Sequence, residues 1–434
     1  MVKSQTVRIS ILGLNYSPEP TGNAPYTASL AEGLALRGYE VRVITSHPHY
    51  PQWKISPGYG AWRTRENKNG VRVERRLHYV PANPKGIARL LSEVSFGFRL
   101  LFSGWGRPDI ILLVSPALFS SAIAGFRARW GFRRPLVATW VQDLYSLGVV
   151  ETKQGGETVA TVMSLLESSV LRGSAGVAVI HDRFKAHVVA ALGVDAESVT
   201  VIRNWSHLVP PPQVDRASTR AHLGWGDEEV VVLHAGNMGA KQGLENLVDA
   251  ARLADQSGFP LRFVLMGDGN QRARIQELAQ GVQRLTFVNS LPDDQFQHAL
   301  ASADVLIVNE RPGVAEMSVP SKLTSYFSTG LPVLAATDRG SVTASEIEAS
   351  GGGLRVDAGD PEQLVEAALM LGQNPDIAQA LGAAGKAFRN EHLSQEAAID
   401  RYDEWLTGLL AARVRKANTG FVFGTPAQST LGNK

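Results

Sequence analysis

The chain has 434 residues, 44% hydrophobic and 19% charged, with a net charge of +2 and no cysteine. That length exceeds what one hydrophobic core usually organises, so two domains are expected. Near-neutral charge argues against a nucleic-acid partner, and the missing thiols exclude a disulfide scaffold and any thiolate metal site.

MVKSQTVRIS leads straight into a strand, so no secretory leader is expected and the chain reads as cytoplasmic, which its lack of cysteine fits. Strands are then expected near VRISILGL, VRVIT, RVERR, DIILLV, LVATWV, GVAVI and VTVI. Helices fall between them, around Ala24 to Arg37, Gly86 to Phe102, Leu118 to Trp130 and Glu157 to Arg172. This alternation is the mark of a parallel α/β sheet. The longest apolar stretch, Ile110 to Phe126, is broken by Pro116 and by serines. It reads as a buried strand plus helix and not as a membrane span. His181–Asp182 follows a strand and is expected to cap the next helix.

Residues 1–208 therefore form a first Rossmann-like domain. The triple proline of HLVPPPQVD can continue neither helix nor central strand, which marks 209–215 as a linker. A second alternating series covers 216–393, with strands near VVVLHA, LRFVLM, LTFV, VLIVN and LPVLA. Asp360–Pro361 reads there as an N-cap with proline at the first helical position. A long amphipathic helix is expected over 394–412, and the aperiodic tail 413–434 is expected to be disordered. Two such α/β domains facing across a cleft would bind a donor in one and an acceptor in the other.

The chemistry concentrates where strands of the second series turn into helices. HAGNMGAKQG offers Gly236, Asn237 and Gly239 for close backbone approach and Lys241 as a point charge. MGDGN adds Gly267 and Gly269 at the next strand end. Amides beside helix N-termini favour anions, so these turns suggest a phosphorylated ligand, with a nucleotide-sugar as the candidate. In AEMSVPSKLTSYFSTGLPVLA, Glu316 is placed to accept sugar hydroxyls. Lys322 lies in a first helical turn, where the dipole disfavours a cation unless an anion is close. In the first domain, Gly22 and Asn23 end a proline-rich turn that presents amides to a phosphate or an acceptor oxygen. A tight dinucleotide fingerprint is absent from that turn, which argues against a nicotinamide enzyme. Asp143, at the carboxyl end of WVQD, is placed for general-base or acceptor-binding work, against the alternative of a helix cap.

The ten histidines are scattered, and His47 and His49 have no acidic cluster beside them. No protein-bound metal and no cofactor are expected. Between Arg63 and Arg99 stand nine basic and three acidic residues, and FRARWGFRRP adds four arginines over 127–134. The helix inside the first run is basic, aromatic and amphipathic. Both runs suit an anionic membrane surface, or equally a solvated face over an ordinary core.

The quoted motifs, with NYSPEPTGNAPYTASLAEGL, TSHPHYPQW, PDIILLVSPALF and VIRNW, make the chain resemble a two-domain GT-B glycosyltransferase of family 4. The resemblance is to the branch containing the colanic-acid and exopolysaccharide biosynthesis enzymes, and it spans residues 7 to about 410. It implies two Rossmann-like domains across a cleft, with the last helix crossing back to the first domain. It also implies hexosyl or deoxyhexosyl transfer from a nucleotide-diphosphate donor to a glycan or lipid-linked acceptor, with retention at the anomeric carbon. Many members carry arginine where this chain has Asn237 and lysine where it has Gln242. Ser325 stands where the second of two paired glutamates is usual, and LLVSPALF lacks the familiar histidine. A nucleotide-sugar 2-epimerase and a non-catalytic sugar-nucleotide scaffold are the alternative readings.

Overall fold

The computed structural model describes residues 6–20, 22–83, 86–130, 134–146, 157–205, 214–313 and 321–419. The chain divides into two compact units, one up to Arg203 and again from Ala398, the other from Asn204 to Ala397.

In the first unit the strands are β1 (Arg8–Leu12), β2 (Glu40–Ser46), β3 (Arg63–Lys68), β4 (Val71–Arg76), β5 (Ile110–Val114), β6 (Leu136–Val141), β7 (Gly176–Val179) and β8 (Val199–Val201). Among the described residues they form one sheet in the order β3-β4-β2-β1-β5-β6-β7-β8, parallel except for β3 against β4. Strands β5 and β6 are buried along their whole length, as expected when helices cover both faces. The flanking helices are α1 (Ala24–Leu36), α2 (Ile87–Leu101), α3 (Leu118–Trp130), α4 (Glu157–Arg172) and α5 (Asp182–Ala190). His181 caps α5 as expected, its Nδ1 accepting from the Phe184 amide at 3.2 Å.

The second unit carries β9 (Val230–Ala235), β10 (Leu261–Met266), β11 (Leu285–Val288), β12 (Val305–Asn309), β13 (Val333–Ala336) and β14 (Gly353–Val356). These pair in parallel in the order β11-β10-β9-β12-β13-β14. The strand order reverses between β9 and β12 here, and between β1 and β5 in the first unit. Ligands of open parallel sheets sit at such switch points, outside the strands' carboxyl ends. Among the described residues its helices are α6 (Arg216–Leu223), α7 (Glu245–Ser257), α8 (Arg272–Leu278), α9 (Asp293–Ser302), α10 (Ser321–Thr329), α11 (Val342–Ser350), α12 (Pro361–Gln373) and α13 (Pro375–His392). Asp360 caps α12 as expected, accepting from the Gln363 amide at 2.9 Å.

Both units are parallel-sheet, Rossmann-like α/β folds. The last helix, α14 (Gln395–Thr419), returns to the first unit: Tyr402 packs edge-on against Trp140, with ring centroids 5.2 Å apart. Asp400 pairs with Arg37, and Asp403 accepts from Tyr39. The helix runs beyond the expected end at 412, because no breaker intervenes before Gly420 and Arg413 donates to the Arg134 carbonyl at 2.6 Å. Of the expected linker, 209–213 lie outside the described residues, as does the tail from 420.

Gly33 of α1 is where α14 seats. A Cβ there would stand 2.3 Å from Ile399 Cδ1. Gly33→Leu is expected to lift α14 and destabilise the protein by roughly 1–3 kcal/mol. Thermal unfolding should show the loss, with faster proteolysis of the C-terminal helix.

Candidate active site

The apolar run of β9 ends at Ala235, and Gly236 (φ 122) turns the chain. Gly267 (φ 131) and Gly269 (φ 157) do the same after β10, and the two turns lie against each other. A Cβ on Gly267 would stand 2.1 Å from the Gly236 carbonyl oxygen, and one on Gly269 would stand 2.5 Å from that of Met238. Only glycine permits this approach.

The turns also consume their own amides. Gly236 N–H donates to Met266 O at 2.8 Å, Met238 N–H to Asp268 O at 2.8 Å, and Gly239 N–H to Gln242 Oε1 at 3.0 Å. The expectation that the Gly236–Gly239 amides grip an anion is therefore corrected for Gly236, Met238 and Gly239. Those donors extend the parallel ladder and close a capped turn.

Cations stand beside these turns: Arg272 donates to the Gly267 carbonyl, exposed Arg311 follows β12 with its amide 2.8 Å from the Lys241 carbonyl, and two lysines join them. Lys241 is exposed, in a 3-10 turn (Ala240–Gln242) that Asn309 secures from the end of β12. Asn309 Nδ2 donates to Gln242 O at 2.7 Å, and Asn246 donates to its Oδ1 at 2.8 Å. Lys322, half-buried in the first turn of α10, reaches back over Gly236, where a Cβ would meet its Cε at 3.1 Å. Its Nζ lies 3.0 Å from His234 Nε2.

His234 is fully buried in β9. Burial, and then the charge of Lys322, hold its basicity well below the usual histidine range. A neutral ring presents Nε2 as an acceptor, so the ammonium donates and is fixed in place. One turn along α10, the Tyr326 hydroxyl accepts from the Ala235 amide at 2.8 Å and locks helix to strand. Ser325 lies three residues after Lys322, on the same side of α10. At the end of β12, buried Glu310 accepts from Thr337 and Thr343. Glu316 lies outside the described residues. Sequence reasoning missed His234, Asn309 and Tyr326; a polar residue inside an otherwise apolar strand was the available signal.

The other candidates sit in the first unit. Asn23 Nδ2 donates to Ser115 O at 3.0 Å, tying the turn after β1 to the loop after β5, and neighbouring Gly22 (φ 69) is exposed. Asp143 is exposed at the end of β6, its carbonyl accepting from Ser115 Oγ at 2.8 Å. Behind it, Glu167 accepts the amides of Tyr145 and Ser146 at 2.9 and 3.1 Å, and Glu93 accepts from the Tyr145 hydroxyl. Burial raises the pKa of both glutamates. Asp143 thus stands on a braced segment at the rim of a recess that Ser115, Tyr145 and Glu167 also line.

The basic run is less free than its composition suggests. Glu74 pairs with Arg63, Arg65 and Arg76, Glu66 with Arg75, and Glu40 with Arg72. Arg65, Arg72 and Arg89 nevertheless remain exposed, and apolar side chains stand exposed near them: Ile87, Leu91, Phe98 and Phe102 on and after α2, and Phe126 and Trp130 on α3. Lys85 and residues 131–133 lie outside the described residues.

A family described as "Glycosyl transferase 4-like domain" matches residues 21–205, and "Glycosyl transferases group 1" matches residues 229–374. The putative colanic acid biosynthesis glycosyl transferase WcaI of Escherichia coli (strain K12) is 34% identical over 339 residues, covering 75% of this chain and 82% of that protein. The chain belongs to the family 4 glycosyltransferases. Solved structures show the same GT-B fold. Sucrose-phosphate synthase from Thermosynechococcus elongatus matches this glycosyltransferase with a TM-score of 0.69 at 20% identity, over 94% of this chain and 100% of that one. Anabaena HepE, solved in complex with UDP and glucose, matches with a TM-score of 0.63 at 16% identity, over 93% and 100%. Among the described residues no helix is long and apolar enough to cross a membrane.

Proposed function

We propose that this glycosyltransferase moves a hexosyl or deoxyhexosyl group from a nucleotide-diphosphate donor to a glycan or lipid-linked acceptor in exopolysaccharide assembly, with retention. The observation that carries the reading is the Lys322 ammonium, held by neutral His234 over Gly236 at the switch point of the second sheet. A cation in the first turn of a helix opposes the dipole, and an anion bound beside it would relieve that opposition.

In the proposed reaction the bond from the anomeric carbon to the β-phosphate oxygen breaks, and negative charge gathers on the departing diphosphate. Lys322 and Lys241 offset that charge, so no metal is invoked. Glycines 267 and 269 let the turns after β9 and β10 close on each other, and Gly236 lets Lys322 pass over the strand end, while Asn237, in the turn after β9, and Ser325 of α10 border the donor. Glu316 orients sugar hydroxyls. The acceptor hydroxyl binds the first unit near Gly22, Asn23 and Asp143 and forms the new bond to the anomeric carbon, its proton leaving with the diphosphate. The kinship with WcaI supports the exopolysaccharide setting, and HepE's complex with UDP supports a nucleotide-sugar donor. Neither the epimerase nor the scaffold reading is favoured by any of these observations.

The test is a panel of UDP-, GDP- and dTDP-sugars with the full chain. One donor should raise the melting temperature in proportion to its affinity and release nucleotide faster when acceptor is added. Stabilisation by none of them would contradict the reading.

We further place the acceptor at the cytoplasmic face of an anionic bilayer, met by the apolar side chains of α2 and α3. The protein should sediment with anionic liposomes at low salt. Phe102→Ser and Trp130→Ser should each weaken partitioning by roughly tenfold. Unchanged sedimentation of the double variant would remove this surface from the account.

A further inference from the structure

The loop after β2 is built more firmly than a connector requires. Buried Glu19, from the loop after β1, accepts the amides of His49 and Tyr50 at 2.8 and 2.9 Å through Oε1. Its other oxygen accepts Asn15 Nδ2 at 2.8 Å. One carboxylate thus joins the loops that follow two adjacent strands. Beyond the clamp, Trp53 has φ 50, a left-handed conformation that a bulky side chain rarely adopts. Its ring stands edge-on to His49, at 5.5 Å between centroids, and to Tyr50, at 6.4 Å with an interplanar angle of 80°.

Tyr50 and Trp53 therefore form two near-perpendicular walls of a corner. Tyr50 is 37% exposed, and its ring lies beside Gly22, where a Cβ would approach Cε1 to 3.4 Å. Glycine at that position leaves room between the ring and the turn that opens α1. An exposed Tyr50 and a half-buried Trp53 on a clamped, strained loop are not part of the buried core. They offer a flat apolar surface beside polar turns, which suits a pyranose: its C–H face packs on an aromatic ring while its hydroxyls reach polar groups at the edge.

We propose that Tyr50 and Trp53 form a stacking corner for a pyranose ring of the acceptor. The proposal rests on the reading that the first unit holds the acceptor, and it names the side chains that recognise it. Gly22 serves the corner as a spacer, and Glu19 acts at one remove by positioning the loop.

Saturation-transfer NMR on the full chain tests this, with methyl β-D-glucopyranoside and methyl α-D-mannopyranoside as probes and UDP as the reference ligand. The wild type should transfer saturation mainly to the pyranose C–H protons. Tyr50→Ala and Trp53→Gly should each reduce that transfer by about tenfold, and Tyr50→Phe should keep it. Trp53→Gly removes the ring where glycine accepts the backbone angle without strain, so its fold is preserved. Saturation of UDP should be the same in every variant. Wild-type transfer to neither glycoside, or full transfer in both ring-deleted variants, overturns the corner. If the glycoside signals behave as stated but no donor is ever turned over, the corner stands and the transferase reaction proposed above falls.

Discussion

Lys322→Ala should lower kcat/KM by about 10²–10³-fold, mostly in kcat, while leaving thermal stability nearly unchanged. Removing one preorganised group that meets developing charge costs on that scale, roughly 3–4 kcal/mol of transition-state stabilisation. The Gly236, Met238 and Gly239 amides cannot compensate, because they already donate to Met266, Asp268 and Gln242. Lys322→Arg should recover only part of the activity, since a planar guanidinium cannot occupy the point at which the ammonium meets His234 and passes over Gly236. Lys241→Ala should have a smaller effect, because that ammonium is exposed and screened. The double variant should fall below either single one. Steady-state kinetics with a verified donor decide the matter, and unchanged turnover in the double variant would remove both lysines from the mechanism.

His234→Leu should reduce kcat/KM by about 10–100-fold although His234 touches no substrate in this account. A buried partner that orients a working group typically carries a cost of that size. His234→Gln, whose carbonyl oxygen can still accept, should retain most of the activity, which separates positioning from packing. The pH dependence follows from the same burial. Unfolded histidine takes up a proton near pH 6.5, whereas His234 in the fold resists it, as does His78, whose pKa burial lowers to about 3. The unfolded chain therefore binds more protons as pH falls through that window, and native stability should decline there. His234→Gln should flatten the decline. An unaltered slope in melts between pH 7.5 and 5.5 would count against a neutral His234 in the fold.

The strand–helix alternation was legible because apolar runs such as IILLV and VLIVN are buried end to end, and because Asp360 and His181 occupy caps that local chemistry dictates. RTRENK was not legible as β3, since an antiparallel edge strand facing water shows no apolar alternation. In the site, the glycines and Lys322 could be read from their places at strand and helix ends. His234 could not, because its role depends on a partner 88 residues along the chain. The basic run from Arg63 to Arg99 suited an anionic surface or a solvated face equally by composition; cross-strand neighbours such as Glu74 pair with part of it, and pairing across strands is not written in local composition.

The second unit is proposed to hold a diphosphate beside the Lys322 ammonium at the carboxyl ends of β9 and β12. Crystals of the full chain grown with UDP or GDP would locate that diphosphate. The β-phosphate should lie within about 3 Å of Lys322 Nζ, above Gly236. A diphosphate bound well away from that ammonium, in either unit, would contradict that placement.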